Sequence, residues 1–178
     1  MLQEWPLPHH LAQRGTVIVV HGLGEHGGRY RSLARQLASQ GWRVVAYDQR
    51  GHGASDGARG RIAADDSLMA DLARVLDALR RSASAPPGPL VLMGHSLGGL
   101  VAARFVAEAL MAQPAAWSRP VEALVLSSPA LDAGLRPFQK ALISLVSRLA
   151  PNLAVSNGLN PDWISRDPAV VRAYRADP

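Results

Sequence analysis

The chain is built on a repeated alternation: short apolar runs, each followed by a stretch in which apolar residues recur every three or four positions. Residues 16–20, Thr-Val-Ile-Val-Val, are continuous and β-branched, as in a strand buried on both faces. Residues 44–47 predict a second strand ending at Asp48, residues 90–93 a third and residues 121–127 a fourth. Between them, Tyr30, Leu33, Ala34, Leu37 and Ala38 recur at helical spacing until Gly41 stops the helix. Leu68, Leu72, Val75, Leu76 and Leu79 form the stripe of a second helix, which Asp65, Asp66 or Ser67 can cap. A third helix is expected over residues 97–111. Residues 1–15, with Pro6 and Pro8, read as an extended lead-in with one short strand at its start. Alternating strands and helices predict an α/β fold, a mostly parallel sheet with helices on both faces.

From Pro129 the rhythm changes. Residues 136–150 predict a helix with Phe138, Ala141, Leu142, Leu145, Val146 and Leu149 on one side, ended by Pro151, and only short helices and turns follow. Two parts are therefore expected: core residues 1–128 and a helical cap or lid, residues 129–178.

The net charge of +5 comes almost wholly from arginine, scattered between Arg14 and Arg175 without a long run or an aromatic-rich companion segment. That distribution gives a nucleic-acid groove little support and leaves solvated faces, with some room for an anionic lipid surface. The absence of cysteine removes disulfides, thiolate metal sites and a cysteine nucleophile. No apolar run approaches the ~20 residues of a membrane span and no signal-peptide pattern opens the chain, so a soluble cytoplasmic protein is expected.

Candidate chemistry sits at two glycine-rich turns. Gly94-His95-Ser96-Leu97-Gly98 fits G-x-S-x-G and falls between a predicted strand and a predicted helix. A sharp strand-to-helix turn strains its corner residue and lifts the Ser96 hydroxyl above the carboxyl end of the sheet. The same turn aims the Leu97 amide at a developing oxyanion. His21-Gly22-Leu23-Gly24, after the first run, supplies a second loop at that edge, with the Leu23 amide as the other donor.

The stretch from Gly22 to Gly27 also satisfies G-x-G-x-x-G, with Asp48 where a ribose-binding acid would stand. Glu25 beside a pyrophosphate and a helix that starts only near Tyr30 argue against a dinucleotide site. Nor does a tight glycine turn present His21, Glu25 and His26 on one face for a metal, so none is expected.

These residues resemble the monoacylglycerol lipase and lysophospholipase group of α/β-hydrolases. The likeness is carried by the stretch from His21 to Tyr30, by Asp48-Gln-Arg-Gly-His-Gly-Ala-Ser-Asp-Gly57, by the stretch from Gly94 to Gly99, and by Ile164-Ser-Arg-Asp-Pro168 with Tyr174-Arg-Ala-Asp-Pro178. It implies hydrolysis of carboxylic esters with one acyl chain, no cofactor, Ser96 as nucleophile, and Leu23 and Leu97 as oxyanion donors. His21, Gly22, His95, Phe138, Leu142 and Leu145 are expected at the substrate, a lipid-like small molecule, with peripheral membrane contact through the cap. The resemblance places the triad acid and base after strands that follow the cap, outside this chain.

A serine needs a base, and the base an orienting acid. His9 and His10 precede the core, His21 and His26 belong to the first loop, His52 to the second, and His95 is expected to point into the sheet packing. None is placed to serve Ser96. Asp132 is the leading candidate acid within the chain, although a cap or turn role suits it better, and Asp65 and Asp66 read as helix-start residues. A second reading therefore stands beside the hydrolase: a non-catalytic binding or interaction protein, or an inactive fragment. Residues 121–127 lack the Lys, Pro or inward charge that protects a sheet edge, which predicts self-association or pairing with a polypeptide that supplies further strands.

Overall fold

A computed structural model describes residues 1–62, 64–81, 88–132, 134, 136–138, 144, 149 and 160–177. It divides into two compact units, Met1–Ala133 and Gly134–Pro178.

The first unit is one sheet of five strands, ordered β1-β3-β2-β4-β5. The strands are β1 (Leu2–Trp5), β2 (Gly15–Val20), β3 (Trp42–Tyr47), β4 (Leu90–His95) and β5 (Ala123–Ser127). β2 pairs in parallel with β3 and β4, and β4 in parallel with β5. Only β1, the short strand of the lead-in, runs antiparallel, against β3. The fold is α/β, as the alternation predicts.

Because side chains alternate along a strand, each run divides its residues between the two faces. Val17, Val19, Val44 and Ala46 pack beneath Ala34 of helix α1 (Arg31–Ala38). Ile18, Val20, Val45 and Tyr47 face the other way, against the Leu68, Leu72, Leu76 and Leu79 stripe of α2 (Ser67–Arg81) and Phe105 of α3 (Leu97–Glu108). Helices cover both faces, and the strands buried on both sides, β2 and most of β3, are those whose sequences run apolar without a break.

Some boundaries differ from expectation. A 3-10 turn, Gly27–Tyr30, precedes α1 and delays its start to Arg31. α3 stops at Glu108 and not at 111, because Leu110 and Met111 are exposed and their amides bond back only three residues. β5 begins at Ala123, since Glu122 is already engaged: its carboxylate accepts from the Leu90 amide at 2.7 Å. Asp66, which immediately precedes α2, directs its carboxylate to Arg104 at 2.6 Å.

In the second unit, helix α4 (Pro168–Ala176) starts on Asp167, whose carboxylate accepts from the Ala169 amide at 2.8 Å, with Pro168 at the first turn where no amide is needed. A 3-10 turn, Pro161–Trp163, lies ahead of it. The helix expected over residues 136–150 falls largely outside the described residues, as do Leu142 and Leu145. Phe138 is described and is 76% exposed. Among the described residues no helix is long and apolar enough to cross a membrane.

Candidate active site

Ser96 stands between the last residue of β4 and the first of α3, with φ 50° and ψ −117°. An L-residue there bears strain of about 1–3 kcal/mol, which persists only where the surroundings over-determine it. Here they do. The Ser96 amide donates to the Ser127 carbonyl at 3.0 Å, and its own carbonyl accepts from Leu100 at 3.1 Å and Ala130 at 3.0 Å. Glycines let the backbones close on this corner: a Cβ at Gly94 would collide with the Gly98 carbonyl, and one at Gly98 with the carbonyls of Val20 and His21. α3 thus rests directly on the carboxyl end of β2, and Gly94 and Gly98 of the motif are steric requirements.

That contact brings the two glycine turns together. A Cβ added to Gly22 would lie 3.2 Å from the Ser96 Cβ. The amides of Leu23 and Leu97, one from each turn, donate to no other described residue. Leu97 opens α3, where the first amides have no intrahelical partner and the helix end is positive. Leu23 is 42% exposed. The pair can offer two free N–H groups beside one hydroxyl, which is the requirement for holding an oxyanion.

Four side chains fix the first turn. Glu25 accepts the Gly22 amide and, at 2.8 Å, the Tyr30 hydroxyl; burial and that carboxylate push the Tyr30 pKa well above its ordinary range. Asp48, buried at the end of β3, accepts the Gly27 amide on one oxygen and the Ala54 amide on the other, each at 2.9 Å. His21 is fully buried; one ring nitrogen donates to the Gly22 carbonyl at 2.7 Å and the other accepts the Gln49 amide at 2.9 Å. That pattern specifies the neutral Nδ1–H form, and burial, aided by His52, lowers its pKa despite the Gly22 bond. Gln49 returns a bond from its side chain to the His21 carbonyl at 2.6 Å.

These contacts alter several sequence expectations. His21, expected at the substrate, has no exposed surface and both ring nitrogens occupied by backbone, so it holds the loop and not a ligand. His95 is half-buried and turns its Nδ1 toward the Ser127 carbonyl and hydroxyl, each at 3.1 Å. His52 contacts the Arg50 carbonyl at 3.1 Å and the His21 ring edge-on. Among the described residues no histidine hydrogen-bonds Ser96. Asp48 has both oxygens engaged by backbone and the 3-10 turn intervenes before α1, which is no ribose-and-pyrophosphate geometry. No group of three His, Cys, Asp or Glu among the described residues could hold a metal. The parts that motif reading missed are Glu25, Asp48 and Gln49. The visible signal was a lone carboxylate inside a glycine turn and a strand ending in two polar residues.

Residues 12–178 match the family described as serine aminopeptidase, S33. The chain is 37% identical over 167 residues to a monoacylglycerol lipase of Mycolicibacterium smegmatis, covering 93% of this chain and 56% of that protein. Against the monoglyceride lipase of Homo sapiens it is 31% identical, over 93% of this chain and 52% of that one. In three dimensions it superposes on the crystal structure of Paleococcus ferrophilus monoacylglycerol lipase with a TM-score of 0.73 and 35% identity, covering all of this chain and 62% of the other. The chain thus spans somewhat over half the length of these relatives. A nucleophile-elbow geometry on this sheet order, joined to a family match across nearly the whole sequence, places the chain in the serine aminopeptidase S33 family, as an α/β-hydrolase of the monoacylglycerol lipase group.

Proposed function

We propose that this chain carries the nucleophile and oxyanion hole of a carboxylic ester hydrolase acting on lipid-like esters with one acyl chain. The observation that supports it is the left-handed Ser96 held beside the unengaged amides of Leu23 and Leu97. In the reaction, Ser96 Oγ attacks the ester carbonyl and loses its proton to a base. The two amides take the charge of the tetrahedral oxyanion, the alcohol departs with a proton, and water releases the acid from the acyl-enzyme. On this reading the base and its orienting acid come from residues other than those described, since no described histidine hydrogen-bonds Ser96. Gly22 keeps the space beside Ser96 open to the acyl carbonyl. The names of the similar proteins favour such a substrate.

A second reading has one observation in its favour: Ser96 has no described histidine as partner. On that reading the chain is a binding module that keeps the pocket without the chemistry. Covalent labelling by a fluorophosphonate probe separates the two, with Ser96→Ala as control. Labelling confined to Ser96 is expected, at a rate that rises when a polypeptide supplying further strands is added. Absence of labelling under both conditions favours the binding module.

A further inference from the structure

The outer face of α1 carries charge that the helix disfavours. Arg31 occupies its first position, where the positive end of the helix repels a cation, and Arg35 follows at i+4, a like-charge pair. No Asp or Glu lies between Gly27 and Ser39 to offset them. Elsewhere on the first unit five arginines are paired with carboxylates: Arg43 with Glu4, Arg50 and Arg74 with Asp71, Arg104 with Asp66, Arg119 with Asp77. Arg31 and Arg35 form no ion pair with any described residue. Ser32, Arg35, Gln36 and Ser39 fall at i, i+3, i+4 and i+7 and share one stripe, while Ala34 and Ala38 are buried on the opposite side. With Arg29 of the preceding turn and Arg31, they line an open groove of about 610 Å3 that has no carboxylate in its wall.

We propose that this groove seats the phosphate groups of an anionic lipid surface. A guanidinium presents a planar fork of donors that matches phosphate oxygens, and the Ser32 hydroxyl and Gln36 side-chain amide add donors along the same stripe. A groove this open to solvent is poorly suited to enclosing a small soluble anion. It suits a plane that offers many phosphates at once, and Arg31 and Arg35 supply the complementary charge. Seating headgroups asks nothing of Ser96, so vesicle binding and ester hydrolysis can fail separately.

The test is co-sedimentation of the full 178-residue chain with vesicles of phosphatidylcholine alone or mixed with phosphatidylglycerol. Binding to the mixed vesicles only is expected, weakening as salt is raised. The double variant Arg31→Gln/Arg35→Gln should lower the partition coefficient roughly 30-fold, at roughly 5-fold per arginine near an anionic surface. The charge-matched variant Arg61→Gln/Arg81→Gln, outside the groove, should lower it far less. Equal loss in both variants would overturn the proposal in favour of diffuse charge, and so would equal binding to both vesicle types or binding to neither. Calorimetric titration with inorganic phosphate distinguishes a soluble ligand: saturable binding abolished by Arg31→Gln/Arg35→Gln, without vesicle binding, would also overturn it. Salt dependence of the unaltered chain keeps the test valid should a variant fold poorly.

Discussion

At position 98 a single methyl group is forbidden, because it would enter the carbonyl oxygens of Val20 and His21 at once. Backbone cannot yield there without parting α3 from β2, so Gly98→Ala should cost more than about 3 kcal/mol of stability, beyond the usual overpacking range. Leu97→Met, which keeps the amide in place, should cost under about 1.5 kcal/mol. Urea denaturation of both variants measures the contrast; equal losses would contradict the close packing. His21 predicts a pH dependence. Its folded pKa lies below the ordinary 6.5, so the unfolded chain binds the proton more readily. Stability is therefore fully present above that ordinary value and is lost as pH falls below it toward the depressed folded pKa. The urea midpoint should fall between about pH 7.5 and about pH 5, and His21→Gln should flatten that part of the curve. The strained corner at Ser96 and the two glycine turns were legible in sequence because a local spacing carries them. The job of His21 was not, since its partner Gln49 lies two residues past the end of β3 and only the folded sheet brings the two together.

Among the elements, the loops after β2 and β3 act as one piece because Asp48 ties an amide from each. Asp48→Asn leaves one acceptor where two amides need one each, a loss of about 1–3 kcal/mol. Hydrogen exchange should quicken at both Gly27 and Ala54; quickening at one alone would show that the loops are held independently. The periodic helices and the β-branched strands were readable from spacing, and their ends were not. α3 ends early because Leu110 and Met111 find nothing to pack against, and β5 starts late because Glu122 bonds across to β4. Both outcomes depend on neighbours remote in sequence, which a local pattern does not contain.

For the molecule as a whole, the alternation of elements announced an α/β class. The order β1-β3-β2-β4-β5 needed pairings across dozens of residues and came only from the structure. That order leaves β5 at one border with Val125 44% and Leu126 38% exposed. An apolar, uncharged border recruits strands, so the isolated chain should run above its monomer mass on size exclusion with light scattering, and Val125→Lys should shift it toward monomer. A monomer before and after the substitution would show that the border is inert. Ser96 has a further consequence on the same scale. Domain stability totals only about 5–15 kcal/mol, and a strained φ at one residue takes a visible share of it. Glycine would occupy that conformation freely, so Ser96→Gly should raise the melting temperature by a few degrees, corresponding to roughly 1 kcal/mol, while removing the hydroxyl; a lower melting temperature would show that the serine side chain stabilises the fold. On the proposed role of Ser96, thermodynamics and chemistry pull opposite ways at one codon. In a lineage released from the need for the hydroxyl, drift would run downhill there, and a glycine at position 96 would be the fossil of a lost reaction.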